Sequence, residues 1–240
     1  MKMKEDIIAI VCPDIHGRNF WEKAAEEYDG SVPFIFLGDY LDPYSDEGIN
    51  DDNAKKNFEK IWEFKEKWGD KVILLVGNHD LSYYDYKFRC CRYSFISGTW
   101  FPEFIRKNWE HFNIAYNLYN SDKKYILSHA GIHPTWLKEN QLENIYDADY
   151  INSLFTQDKR LFNDYSHYRG GYSNAGSPVW ADIREFSKLE LIEENLKQIV
   201  GHTQLIKDKL DLNNVCCIDS RQVFVITKNN EIIPYKNEKR

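Results

Sequence analysis

At 240 residues and a formal net charge of −7, the chain is long enough for one domain with a substantial core and too acidic to hold nucleic acid on a mainly basic face. Hydrophobic residues make up 42% and aromatic residues 15%, which excludes disorder over most of the length. A phosphorylated ligand is not excluded, because bound cations invert local charge.

The first apolar run, IIAIV (Ile7–Val11), reads as a buried strand and leads into CPDIHGRN. It is too short for the core of a signal peptide, and no later run is long enough to span a bilayer. A helix is expected over Asn19–Tyr28 and a second strand over Val32–Leu37, with Pro33 at its start. The polar loop Asp42–Asn53 ends at a candidate helix N-cap. In the following helix Phe58, Ile61, Trp62, Lys65 and Trp68 fall at helical spacing, the pattern of a helix covering a sheet. KVILLV (Lys71–Val76) is a third buried strand. Strands alternating with helices imply a largely parallel sheet covered by helices.

Further on, NIAYNLYN and KKYILSHAG flank Ser121–Asp122 and predict an antiparallel hairpin. The polar, aromatic segment 147–176 contains RGGYSNAG and reads as a lid or insert within one domain spanning 1–240. LELIEENL is expected to be helical, QIVGHT to end a strand, and NNVCCIDS with RQVFVITKNNEIIPY to form a closing pair or hairpin. Of the five cysteines, four form two adjacent pairs, Cys90–Cys91 and Cys216–Cys217, which suits disulfides poorly. All five read as reduced, small buried residues, and the chain as soluble and cytoplasmic.

Each strand-like run ends in groups able to bind a metal. Side chains at i and i+2 of a strand end point the same way, so Asp14 and His16 can face one point. FLGDYLD supplies Asp39 and LVGNHD supplies Asn78, His79 and Asp80. ILSHAG supplies His129 and IVGHT supplies His202. The carboxyl edge of such a sheet is where ligands bind. Unrelated polar caps do not usually distribute themselves over five strand ends in this way.

The series DIHG, GDYLD, GNHD, SHAG and GHT resembles the calcineurin-like metallophosphoesterase superfamily. It is most similar to the branch of phosphoprotein phosphatases and symmetrical dinucleoside tetraphosphatases, to which SPVWAD (Ser177–Asp182) adds a tryptophan–acidic segment. The resemblance implies an α/β fold, a four-layer αββα sandwich with mixed sheets. It implies two divalent cations, Mn first and Fe, Zn or Ni as substitutes. Asp14 and His16 would hold one, Asn78, His129 and His202 the other, and Asp39 would bridge them. Mixed oxygen and nitrogen ligands suit these metals better than Ca. His79 matches the family's general acid, with Asp80 expected to orient it and keep it protonated.

Two departures matter. The arginine expected after the second motif is replaced by Pro43, so the phosphate clamp is sought in Arg169, Arg184 and Arg221. Gln204 stands where nuclease and phosphodiesterase members carry a second histidine. This favours a phosphatase and leaves the Asp14–His16 cation with few protein ligands. Asp42 is read as bracing the site, and His111, His133 and His167 as ordinary residues, with His133 and His167 as candidates for the pocket rim. The tyrosines around the third motif and the segment 147–176 are read, with Trp180, as packing.

The function expected is hydrolysis of phosphate monoesters, on a phosphoprotein or a small phosphorylated metabolite, with no membrane partner and with nucleic acid disfavoured but not excluded. A dinucleoside polyphosphate or phosphodiester substrate is the second reading. A non-catalytic binding module is the third, which the retained ligand set disfavours.

Overall fold

The computed structural model describes residues 6–88, 90–121 and 123–236. Its strands are β1 (Ile7–Cys12), β2 (Phe34–Phe36), β3 (Val72–Leu75), β4 (Phe112–Asn113), β5 (Ala115–Asn120), β6 (Lys123–Ser128), β7 (Leu196–Val200), β8 (Leu210–Asp211), β9 (Val215–Cys217), β10 (Phe224–Thr227) and β11 (Ile232–Pro234). The helices are α1 (Glu22–Glu26), α2 (Asp51–Trp68), α3 (Asn78–Tyr84), α4 (Phe101–Lys107), α5 (Pro134–Glu139) and α6 (Ala148–Gln157). None is long and apolar enough to cross a membrane.

Two sheets form, ordered β11-β10-β1-β2-β3-β4 and β5-β6-β7-β9-β8. β1 to β4 are parallel, as are β6, β7 and β9, while antiparallel strands close the remaining edges. Period-2 alternation decides which residues meet. Ala9, Val11, Ile35, Leu37, Ile73 and Leu75 of the first sheet face Tyr125, Leu127, Ile199 and Cys216 of the second, all buried between the sheets. The alternate residues Ile10, Cys12, Phe34, Phe36, Val72 and Leu74 point the other way, onto Phe58, Ile61 and Phe64 of α2. The outer face of the second sheet is covered by Ile151, Leu154 and Phe155 of α6 around Ile126, and by Ala181, Ile183 and Phe186 around Val200. The layers are therefore helix, sheet, sheet, helix, the sandwich the motifs imply.

Several boundaries differ from expectation. The first helix covers only Glu22–Glu26. The N-cap of α2 is Asn50, whose side chain accepts the N–H of Asn53, so Asn53 lies inside the first turn. LELIEENL is not helical. Asn214 takes over its backbone groups, accepting from Ile192 N (2.6 Å) and donating to the carbonyls of Glu193 (2.6 Å) and Leu196 (2.8 Å), so the segment runs straight into β7. The hairpin of β5 and β6 forms, with Asp122 outside the described residues. NNVCCIDS and RQVFVITKNNEIIPY do not pair with each other. β9 joins the second sheet, whereas β10 and β11 form a hairpin at the edge of the first. Within 147–176, α6 is tied to the sheet by Asn152, whose Oδ1 accepts from the N–H groups of Ile114 (2.9 Å) and Ala115 (3.1 Å).

Candidate metal centre

The carboxyl ends of β1, β2 and β3 in one sheet, and of β6 and β7 in the other, bring their polar residues together. The turns are tight: His16, Asp39, Asp42 and His202 all have positive φ, between 44° and 62°. Such backbone costs about 1–3 kcal/mol at a non-glycine residue and persists only where packing enforces it. Glycine is required where the carboxylates press on the neighbouring turn. A Cβ on Gly77 would stand 2.1 Å from Asp39 Oδ1, and one on Gly201 would stand 2.2 Å from Asp14 Oδ1.

Hydrogen bonds outside the cluster set the orientation of its histidines. His16 Nδ1 lies 2.9 Å from the Leu41 carbonyl and His129 Nδ1 lies 2.9 Å from the Leu37 carbonyl, so each carries its proton there and turns an Nε2 lone pair inward. His129 Nε2 then faces His202 Nδ1 (3.0 Å), Asn78 Oδ1 (3.1 Å) and Asp39 Oδ2 (3.5 Å). His16 Nε2 faces Asp39 Oδ2 (3.5 Å) and Asp14 Oδ2 (3.9 Å). Ligand atoms of Asp14, Asp39, His129 and His202 lie within 4.8 Å of one another, as do those of His16, Asp39 and His79.

Two buried carboxylates and the imidazole nitrogens crowded against them make a costly cluster, and a divalent cation is the group that relieves it. The electrostatics agree. Burial and then the Asp14 charge push the Asp39 carboxyl well above the usual range. Burial holds the imidazoles of His16 and His202 well below their ordinary value, helped by His79 beside His16 and by Arg169 beside His202, so both stay neutral as a ligating histidine must. The residues present therefore fit divalent cations.

His79 and Asp80 part company. His79 Nδ1 lies 2.7 Å from Asp42 Oδ2, and Asp42 is itself held by the Tyr83 hydroxyl and the Ser94 N–H (3.1 Å). Among the described residues the Asp80 carboxylate makes no hydrogen bond to the His79 ring. It accepts from the N–H groups of Asp39 (2.6 Å), Tyr40 (3.1 Å) and Gly77 (2.8 Å), lacing the turn after β2 to the turn after β3. The carboxylate beside His79 is thus Asp42, and Asp80 is a structural tie. Adjacent residues on the first turn of α3 point in different directions, which is why sequence adjacency misassigned the pair. Burial, with the charge of Asp39, pushes Asp80 up to about 8.

Of the three arginines expected at the phosphate, the structure brings one to the cavity. Arg169 lines it, paired with Asp182 (2.9 Å) and donating to the His202 carbonyl (3.2 Å) and Thr203 Oγ1 (2.8 Å). Arg184 is spent on Asp182 (2.7 and 2.9 Å) and the Tyr168 carbonyl, outside the cavity. Arg221 is turned away to Glu47 (2.9 Å). Sequence reasoning missed Arg92. Its Nη2 lies 3.4 Å from both His16 Nε2 and His79 Nε2, and its guanidinium sits 3.8 Å from the centre of the Tyr44 ring. Its φ of 58° turns the side chain back into the site from an irregular loop. No motif marks this position; the absence of arginine at Pro43 is the only signal that a substitute must exist.

The cavity over the cluster measures about 280 Å³ and has Tyr44, Tyr165 and Trp180 among its walls. Trp180 meets His202 edge-on at 5.8 Å, so its ring lines the site as well as packing. Tyr83 is buried behind Asp42, whereas Tyr172 is fully exposed. Cys90 and Cys91 also line the cavity, and Cys91 is exposed, so the small-buried-residue reading holds only for Cys12, Cys216 and Cys217. A larger cavity of about 710 Å³ near Trp109 and Phe155 contains none of the clustered histidines, and four of its charged groups pair with each other, Asp85 with Lys159 and Asp158 with Arg160.

The family model for calcineurin-like phosphoesterases matches residues 9–204. The chain belongs to that family. As a calcineurin-like phosphoesterase it shares its fold with a mutant of a cold-active protein tyrosine phosphatase, at TM-score 0.55 and 16% identity, covering 96% of this chain and 81% of that one. A Saccharomyces cerevisiae protein serine/threonine phosphatase with similarity to human phosphatase PP5 matches at TM-score 0.57 and 12% identity, covering 98% of this chain and 81% of that one. Comparison with curated proteins gives no match. The phosphoesterase is a hydrolase of a family that uses divalent metals, and its substrate is phosphorylated.

Proposed function

We propose that this phosphoesterase hydrolyses phosphate monoesters, on a phosphoprotein or a small phosphorylated metabolite, with two divalent cations, Mn²⁺ foremost. The observation that carries this reading is the position of Asp39. Its Oδ2 is 3.5 Å from His16 Nε2 and 3.5 Å from His129 Nε2, so one carboxylate serves two ligand clusters. Paired cations supply, when bound, a nucleophile at neutral pH and neutralisation of phosphoryl charge.

The chain's own residues do the rest. Asp14, His16 and Asp39 hold one cation, and Asn78, His129, His202 and Asp39 the other. Arg92 and Arg169 reach the cavity and grip the phosphoryl oxygens. His79 gives its Nε2 proton to the leaving oxygen while Asp42 holds the Nδ1–H. Burial and Arg92 disfavour the charged imidazole, and a bound phosphate anion offsets the Arg92 charge. Tyr165 and Arg169, from the segment read as a lid, line the cavity, which supports a lid role for that segment. The acidic charge and absence of framework cysteines suit a cytoplasmic protein. Both named structural neighbours are protein phosphatases, in keeping with a monoester substrate.

The purified protein, supplied with Mn²⁺, is expected to hydrolyse p-nitrophenyl phosphate and phosphopeptides well above bis-p-nitrophenyl phosphate and diadenosine tetraphosphate. Turnover confined to the diester or the tetraphosphate would reverse the assignment. Arg92→Ala is expected to lower kcat/KM for monoesters by about 10–100-fold, the value of a lost charged hydrogen bond of about 1.5–3 kcal/mol. Inhibition by inorganic phosphate should weaken in parallel. Arg92→Lys should recover part of the loss, and Arg184→Ala should stay near wild type. Equal kinetics for Arg92→Ala and wild type would remove Arg92 from the clamp.

A further inference from the structure

Asp219 belongs to none of the groups assigned so far. It is only 4% exposed, and its carboxylate has no hydrogen bond or ion pair among the described residues. It follows β9, the third parallel strand of the second sheet. The register pairing Ile199 with Cys216 and Val200 with Cys217 continues to place Asp219 opposite His202. The turns are locked in that relation: Ile218 N donates to the Val200 carbonyl (2.9 Å) and Leu205 N donates to the Asp219 carbonyl (2.8 Å). On the other side, the His202 N–H donates to Asp14 Oδ1 (2.9 Å). Asp14 and Asp219 thus stand on either side of the same turn.

A buried carboxylate without a partner is costly, and the cost rises beside like charge. The charges acting on Asp219 are Asp14 first, then Arg18, Asp39 and Arg221. Both arginines are already engaged by Glu47, Arg18 at 2.8 and 3.0 Å and Arg221 at 2.9 Å. They soften the repulsion without pairing with it. On that side of the centre the expected ligands are Asp14, His16 and the shared Asp39, because Gln204 stands in place of a further histidine and faces Arg221.

We infer that Asp219 is a further residue of the metal centre, a positioning carboxylate whose charge strengthens binding of a divalent cation on the Asp14–His16 side. It does not line the cavity and acts from behind Asp14. A cation cancels the repulsion among Asp14, Asp39 and Asp219, so the group that destabilises the metal-free protein stabilises the loaded one. This inference rests on the two-cation reading above.

The test is titration of Mn²⁺ into metal-free wild type, Asp219→Asn and Asp39→Asn by calorimetry, with thermal melting in EDTA and in Mn²⁺. For Asp219→Asn, affinity for one of the two cations should fall about 10–100-fold, the range for residues supporting metal ligands. Its metal-free melting temperature should rise above wild type, and its gain on adding Mn²⁺ should shrink. Unchanged Mn²⁺ affinity, or a lower metal-free melting temperature, would make Asp219 a structural partner of Arg18 and Arg221 and overturn the inference. Asp219→Ser provides a second variant, and failure of both to fold would count against the proposal in the same way. If wild type itself binds no Mn²⁺, or Asp39→Asn binds it equally well, the two-cation reading falls rather than the role of Asp219 alone.

Discussion

Asp39→Asn should leave the protein folded and reduce kcat by on the order of 10²–10³-fold, measured at saturating monoester and Mn²⁺. The asparagine amide oxygen can still accept the His79 N–H that Asp39 Oδ1 accepts at 3.0 Å, so the turn after β2 keeps its anchor. What is lost is the negative charge shared between His16 and His129. Charge stabilisation by metal ions is worth several kcal/mol in a phosphoryl-transfer transition state, and about 1.4 kcal/mol is tenfold in rate. Bound Mn²⁺ measured by calorimetry should fall with the rate. Removing the buried charge beside Asp14 should also raise the melting temperature of the metal-free variant. An active Asp39→Asn enzyme with its full Mn²⁺ content would refute the shared-ligand geometry.

The second large effect concerns the proton donor. His79→Gln should lower kcat by about 10²–10⁴-fold on alkyl phosphates, the usual value of general acid catalysis. The loss should be much smaller on p-nitrophenyl phosphate, whose leaving group departs without a proton. Asp42→Asn should shift both substrates in the same direction but less far, because it weakens the hold on Nδ1 while His79 remains. Asp80→Asn should behave differently. Its amide NH2 would face either the Tyr40 N–H or the Asp39 and Gly77 N–H groups and leave a buried donor without an acceptor, so melting temperature should fall while the leaving-group dependence stays that of wild type. Identical leaving-group dependence in His79→Gln and wild type would exclude His79 as the acid.

The contrast between Asp42 and Asp80 shows where reading the chain reaches its limit. Asp80 adjoins His79 in sequence yet binds backbone 41 positions away, whereas Asp42, 37 positions away, meets the imidazole. The arginines teach the same lesson. Arg184 and Arg221 sit near strand-end motifs but are claimed by Asp182 and Glu47, which local pattern cannot foresee. Arg92 comes from a loop with no periodic signal and reaches the site only because its backbone turns left-handed and Tyr44 offers its ring.

From the chain alone one could read the strands, the turns after them and the ligands those turns carry. An apolar run broken by glycine and a polar residue is a local feature, and a parallel sheet gathers the ends of its strands at one edge whatever lies between. The pairing of buried charges was decided only by the fold. Which carboxylate serves His79, which guanidinium faces the cavity and why Asp219 stands unpaired depend on distances between turns far apart in the chain, where burial raises the energy of every charge and gives the nearest partner its weight.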